Sequence, residues 1–265
     1  MKSTLSTQEL YLRSLKRQRS HVLLARVLIL IIFLLQWELT ADLGLVDSFI
    51  FSSPSRIIRC FFTLLQEQQL ALHISMTVLE TVVSFFLVLL FTLLLTTCLW
   101  LSPKVSHVLE PYLVILNSLP KSALAPLLIV WLGGNYKTII LTGMSVAVFG
   151  SILSLYTAFA ETDPEKIKLI RTLGGTRMDI LLRVMLPGNI PSLLSIMKVN
   201  IGLCLVGVII GEFIAAKVGL GYLIIYGSQV FKLDWVILSI LILCIVAMLL
   251  YQILGFLEKW YLKRH

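Results

Sequence analysis

The run VLLARVLILIIFLLQWELT, residues 22–40, carries one arginine and one glutamate in nineteen positions, and further runs of this kind follow along the chain of 265 residues. About 18 apolar residues suffice to cross the hydrocarbon core of a bilayer as a helix. Within that core every backbone N–H and C=O must be satisfied internally, which leaves only helices and closed barrels. The runs here are continuous rather than alternating, so they predict an all-α, polytopic membrane protein with about six transmembrane helices. A charged fraction of only 14% and a mean hydropathy of +0.96 agree, and together they exclude an ordinary soluble enzyme.

Residues 1–21 are polar and basic (Lys2, Arg13, Lys16, Arg17, Arg19) and predict a cytoplasmic tail. No small-residue cleavage site follows the first run, which therefore reads as an uncleaved transmembrane helix rather than a secretory signal. Residues 22–70 comprise that helix and an outer amphipathic segment, in which Ser53 and Pro54 start a short helix carrying Ile57, Ile58, Phe61, Phe62 and Leu65. Residues 71–256 form a transmembrane core with spans expected near 74–101, 105–132, 138–159, 193–214 and 235–256, and residues 257–265 a basic tail. Pro111, Pro120 and Pro126 predict that the span over 105–132 is kinked or broken where freed backbone groups face protein or water.

This topology makes a charge prediction. With both termini in the cytoplasm, fifteen of the 22 lysines and arginines fall inside, five outside (Arg56, Arg59, Lys137, Lys217, Lys232) and two, Lys121 and Lys198, within spans. Orientation accounts for most of the net charge of +8, and no nucleic-acid partner is implied.

One cytoplasmic loop, residues 161–189, is long for a plain connection, and its punctuation predicts structure. Asp163, Pro164 and Glu165 read as an N-cap, a first-turn proline and an acid favoured by the helix dipole. Gly174 and Gly175 supply a stop. Thr176 caps a second short helix with Asp179 at the capping-box position, and Pro187 is expected to end it. Ile167, Ile170, Gly174, Met178, Leu181 and Met185 share one stripe, while Lys166, Lys168, Arg171, Arg177 and Arg183 lie mostly elsewhere. Two readings fit: a helix pair lying on the inner leaflet, or a docking element for a cytoplasmic partner.

The stretch DPEKIKLIRTLGGTRMDILLRVMLPGNIP resembles the coupling-loop signature of the inner-membrane permease subunits of ATP-binding cassette importers. In that signature a Glu-Ala-Ala triplet precedes a glycine and, ten residues on, a hydrophobic residue and Leu-Pro. Gly174, Val184 and Leu186-Pro187 stand at the family spacing, whereas Lys168, Leu169 and Ile170 replace the triplet. LPKSALAPLLIVWLGG and GEFIAAKVGLGYLI resemble the nitrate, sulfonate and taurine branch.

The resemblance covers nearly the whole chain and implies the type I importer permease fold, a separate ATPase subunit, an extracytoplasmic substrate-binding protein and a second permease subunit, expected as a homodimer in the plasma membrane of a prokaryote. It implies that Asp163, Glu165, Lys168, Arg171, Gly174, Gly175, Arg177, Leu186 and Pro187 couple to the ATPase. The family glutamate is absent at position 168, and Glu165 is the nearby acid that would replace it.

The chain has no G-x-x-x-x-G-K-[ST] loop with which to hydrolyse ATP itself, and no H-E-x-x-H or G-x-S-x-G pattern. No catalytic residue, metal site or cofactor is expected. His21, His73, His107 and His265 are scattered, and Cys60, Cys98, Cys204 and Cys244 share no ligand spacing and read as packing. Charges at membrane depth often mark a pathway. Glu80 and Lys121 are the better candidates, whereas Lys198 is expected to snorkel toward the cytoplasm and Glu212 to sit at the outer interface or cap the following loop, with a pathway role as its alternative. Gly207 and Gly211 stand in small-xxx-small spacing and imply close helix contact. The outer segment after Glu212 has Gly219 and Gly221 for a turn and the aromatics Tyr222, Tyr226, Phe231 and Trp235 at interfacial depth. The rival function is a secondary transporter or channel working without ATP, which would favour an inverted repeat and carboxylate relays. No convincing repeat is found.

Overall fold

In a computed structural model, which describes residues 7–44, 52–67 and 69–264, nearly all of the described residues are helical and none is in a strand. Lys2, His265 and residues 45–51 lie outside the described residues, as do the side chains of Arg13, Lys16, Arg17 and Arg19. The helices are α1 Thr7–Asp42, α2 Pro54–Gln66, α3 Gln69–Leu101, α4 Pro103–Ser118, α5 Lys121–Leu132, α6 Tyr136–Ala160, α7 Pro164–Thr172, α8 Arg177–Ile180, the short α9 Leu186–Gly188, α10 Ile190–Ala215, α11 Leu220–Gln229 and α12 Leu233–Arg264. Five are long and apolar enough to cross a membrane, and α4 with α5 makes a sixth if the bent pair is one span.

The bend between α4 and α5 is 98°. Of the three prolines, only Pro120 marks the break, while Pro111 and Pro126 sit inside their helices. The residue before a proline is driven out of the α region, and Leu119 is accordingly extended at φ −62°, ψ 140°. Helix α1 begins at Thr7, so much of the expected basic tail continues the first helix. Its apolar length is almost wholly exposed. It meets the rest of the chain through Trp37, packed on the core, and through Glu38, which accepts from the hydroxyl and the backbone N–H of Ser55 at 2.6 and 3.0 Å. Helix α2 turns Ile57 and Leu64 inward and leaves Ile58, Phe62 and Leu65 exposed.

Helices α6 and α10 pack most extensively, with α3 against α6 close behind. Small residues permit this approach: a Cβ on Gly207 would stand 2.8 Å from the α-carbon of Gly143 and 2.9 Å from the carbonyl oxygen of Thr142. Hydroxyls then tie the helices together, as interhelical hydrogen bonds do in a medium where water cannot compete. Ser84 on α3 donates to the carbonyls of Glu80 (2.7 Å) and Ile140 (3.0 Å), and Ser151 on α6 donates to Oδ1 of Asn200 on α10 (2.7 Å).

Candidate functional site

The loop between α6 and α10 forms from local signals. Asp163 accepts from the N–H of Glu165 at 2.9 Å and caps α7. At the other end Gly174 takes a left-handed φ of +79°, its N–H donates to Arg171 O (3.0 Å), and the Gly175 N–H donates to Ile170 O (2.9 Å). That pairing is a Schellman stop, in which the residue of positive φ is normally glycine. The capping box also forms: Thr176 N–H donates to Asp179 (2.8 Å) and Asp179 N–H to Thr176 Oγ1 (3.3 Å). The two bonds from Thr176, through its hydroxyl and its N–H, hold the Asp179 carboxyl below its ordinary range.

Pro187 does not end the second helix. Leu181–Met185 widens into a π turn, α9 follows, and only Asn189 separates it from α10. The wider turn carries the chain through the missing N–H of proline. Asn189 then donates to Met185 O (2.8 Å) and Thr162 Oγ1 (2.9 Å).

This loop has two faces. Ile180, Leu181 and Met185 are buried with Leu155 and Phe159 of α6, and Ile167 and Ile170 pack on the same cluster. Met178, expected in that stripe, is exposed instead, as are Leu169, Leu173 and Leu182. The α8 turn begins after the glycine stop and resets the helical phase, so a single projection through both helices fails there. Gly174 has nothing within 4 Å of a Cβ built on it. Asp163, Glu165, Lys168 and Arg171 are exposed around this face. Arg177 is occupied elsewhere, donating to Leu101 O at 2.9 Å and so closing the carbonyl end of α3. Leu186 packs on the buried cluster, while Pro187 is exposed.

The two membrane-depth charges expected to be the better pathway candidates, Glu80 and Lys121, stand in separate surroundings. Lys121 donates to the carbonyls of Leu116 (2.9 Å) and Asn117 (2.6 Å), at the end of α4, and lies 5.8 Å from the centre of the Phe149 ring. It closes the broken end of α4, a position that favours a cation. Lys198 is bonded to Glu258 of α12 at 2.5 Å, so a partner holds it as well as any snorkelling. Glu80 neighbours Glu212 rather than Lys121.

Glu212 is fully buried and does cap the following loop. Three successive backbone N–H groups at the start of α11 each meet a side chain from elsewhere: Gly219 donates to His73 Nδ1 (2.9 Å), Leu220 to Thr77 Oγ1 (2.8 Å) and Gly221 to Glu212 Oε2 (2.5 Å). These are orphan donors that a helix start must satisfy. Gly219 and Gly221 leave the room that the carboxyl fills, since a Cβ on either would collide with it. From His73 a row of rings runs through Tyr222 and Tyr226 to Trp235 with centroids 5.9, 5.7 and 5.9 Å apart, while Phe231 stands exposed. Sequence reasoning missed His73 and Thr77, which lie more than 140 residues from the groups they cap. No local pattern marks them. Among the described residues no group of three His, Cys, Asp or Glu side chains is arranged to hold a metal ion.

The profile of the binding-protein-dependent transport system inner membrane component family matches residues 88–264. A probable ABC transporter permease protein of Haemophilus influenzae is 30% identical over 242 residues, covering 91% of this chain and 96% of its own. The taurine transport system permease protein TauC of Escherichia coli is 25% identical, covering 83% and 82%. The formylaminopyrimidine transport permease protein ThiX of Halalkalibacterium halodurans is 24% identical, covering 77% and 81%. Among solved structures, a chain of the MetNI methionine ABC transporter in an inward-facing conformation superimposes with a TM-score of 0.64 at 18% identity, covering 73% of this chain and 96% of that one. That likeness is one of fold, the type I importer permease.

Proposed function

The chain belongs to the inner membrane components of binding-protein-dependent transport systems, and from that membership we propose that it forms the translocation path of an ATP-driven importer and couples to a separate ATPase through residues 163–187. The observation that carries the coupling is the two-faced loop. Ile180, Leu181 and Met185 root it in the spans, while Leu169, Leu173 and the unobstructed Gly174 offer an apolar, close-approach surface to another protein. A rigid base with an exposed apolar face transmits a push, whereas a mobile strap would absorb it. Glu165, exposed in the first turn of α7, serves in place of the absent family glutamate at position 168.

In this reading ATP is hydrolysed by the partner, the chain carries no cofactor, an external binding protein delivers the solute, and a second copy completes the path. The termini and the loop face the cytoplasm, as the excess of Lys and Arg on that side supports. The solute is small and polar: a sulfonate, a nitrate-like anion or a thiamine pyrimidine precursor, with a lean to the aromatic nitrogen compound. The relatives named for taurine and formylaminopyrimidine support both organic classes.

Co-purification with an ATPase encoded beside the chain, followed by uptake in reconstituted vesicles, tests the proposal. Gly174→Arg is expected to abolish association and uptake while leaving membrane insertion intact. Unchanged association and uptake, or solute movement under an ion gradient alone, would overturn it.

A further inference from the structure

A cavity of about 470 Å³ opens between α2 and the start of α12, and Arg56, Arg59, Cys60, Lys232, Asp234 and Trp235 are among the residues that line it. Its volume lies in the range of small-molecule sites, about 300–1,000 Å³. Two of its charges hold each other, since Arg56 and Asp234 form an ion pair at 3.4 Å. Two cations are left over. The Lys232 ammonium lies 4.5 Å from the centre of the Trp235 ring, and neither it nor the Arg59 guanidinium makes an ion pair among the described residues. The Cys60 thiol feels both Lys232 and Asp234, so the charged heads from α12 reach the wall that α2 provides.

The acids nearby do not offset both cations. Glu67, at the end of α2, also lines the cavity, and with Arg56 and Asp234 cancelling, Arg59 and Lys232 against Glu67 leave an excess of one positive charge. Glu38 feels the Arg59 charge, but it does not line the cavity and both of its oxygens accept from Ser55. The cavity also stands at a membrane surface. The spans of α3 and α12 begin at Gln69 and Leu233, and Ile58, Phe62, Leu65 and Phe231 are exposed around it. Apolar side chains exposed at that level sink into the boundary between headgroups and acyl chains. The apolar length of α1, almost wholly exposed, runs into the bilayer from the Glu38–Ser55 contact at the same level.

We propose that this cavity binds the phosphate diester of an anionic phospholipid in the leaflet beside α2, with Arg59 and Lys232 as its donors. A guanidinium fork matches two phosphate oxygens, and an ammonium adds a compact second charge. A phosphate diester carries one negative charge, which equals the excess in the lining. The ammonium of a zwitterionic lipid would instead meet Arg59 and Lys232 with the same sign. Inorganic phosphate shares the anion but has no acyl chain to lay on α1. The inference needs only the spans, and neither the ATPase nor the solute enters it.

The test is native mass spectrometry of the purified full-length chain in a neutral detergent, titrated with phosphatidylglycerol, phosphatidylcholine and inorganic phosphate. One phosphatidylglycerol is expected to be retained in preference to phosphatidylcholine and not to be displaced by inorganic phosphate at equal ionic strength. Arg59→Gln and Lys232→Gln should each weaken its binding about fivefold, the usual effect of one basic residue at a membrane surface. Lys137→Gln, which is exposed but does not line the cavity, should leave it unchanged. Equal retention of phosphatidylcholine, displacement by inorganic phosphate, or equal weakening by Lys137→Gln overturns the proposal. So does unchanged lipid binding with loss of an associated external protein in the Arg59 and Lys232 variants, which would make the cavity a protein dock. If a variant does not fold, the ranking of the three ligands in the unaltered chain still decides.

Discussion

Thr77 and Glu212, 135 positions apart in the chain, are joined by a hydrogen bond of 2.6 Å in which the threonine hydroxyl donates to Oε1. The same hydroxyl oxygen accepts from the Leu220 N–H at 2.8 Å, so one side chain ties α3 to both α10 and α11. Thr77→Val keeps the shape but strands a carboxylate oxygen and a backbone donor. A cost of about 1–3 kcal/mol is expected for a buried group so stranded, read as a lower unfolding midpoint in detergent. Thr77→Ser should recover most of it, and a valine variant as stable as the parent would show that the tie contributes nothing.

At Gly174 the φ of +79° and the open space beside the α-carbon separate backbone strain from lost docking. A left-handed conformation costs most residues about 1–2 kcal/mol, but asparagine tolerates it. Gly174→Asn should therefore keep the loop folded and retain much of the ATPase association that Gly174→Arg loses. At Gly175 a Cβ would stand 2.5 Å from Ile170 Cγ2 and 2.9 Å from its carbonyl oxygen, so Gly175→Ala should displace the whole stop. Pull-down of the ATPase with the three variants ranks them, and equal loss in Asn and Arg would assign the effect to strain.

Asp179 gives the loop a pH dependence of known sign. Its folded-state value lies below the ordinary carboxylate range because Thr176 donates to the charged form. A depressed carboxyl contributes stability that is fully present above its unfolded value near ~3.9 and is lost as pH falls through the folded value. Hydrogen exchange at the Thr176 amide should accordingly stay slow relative to the intrinsic rate at pH 5 and lose protection only in stronger acid. Asp179→Asn should flatten that dependence. A protection factor that already falls between pH 7 and 5 would contradict the assignment.

Burial, with Asp234 nearby, pushes the Cys60 thiol up to about 11. The thiolate is the reactive species, so native Cys60 should label slowly with maleimide at pH 7. Orientation is better read from cysteines introduced at Ile58 and Leu173, which are 58% and 74% exposed. An impermeant maleimide on intact cells should reach the first and miss the second. Labelling of both from one side would break the six-span topology.

The amino-acid sequence by itself determined what is decided within a few residues. Apolar runs long enough for a bilayer form helices here because no water is present to satisfy their backbone, and, with the bent α4–α5 pair taken as one, the spans begin and end within seven residues of the expected bounds. The Asp163 cap, the Gly174 stop and the Thr176–Asp179 box close rings of three to six residues, so their residue types and spacing sufficed. Tertiary structure alone decided the rest. Arg177 serves Leu101, Lys198 serves Glu258, and His73, Thr77 and Glu212 converge on the start of α11, each across a separation that only helix packing brings together, apart from the nine-residue step from Glu212 to Gly221. Whether a charge at membrane depth is a cap or an ion-pair partner depends on which neighbour the packing brings to it, and a single sequence carries no local trace of that.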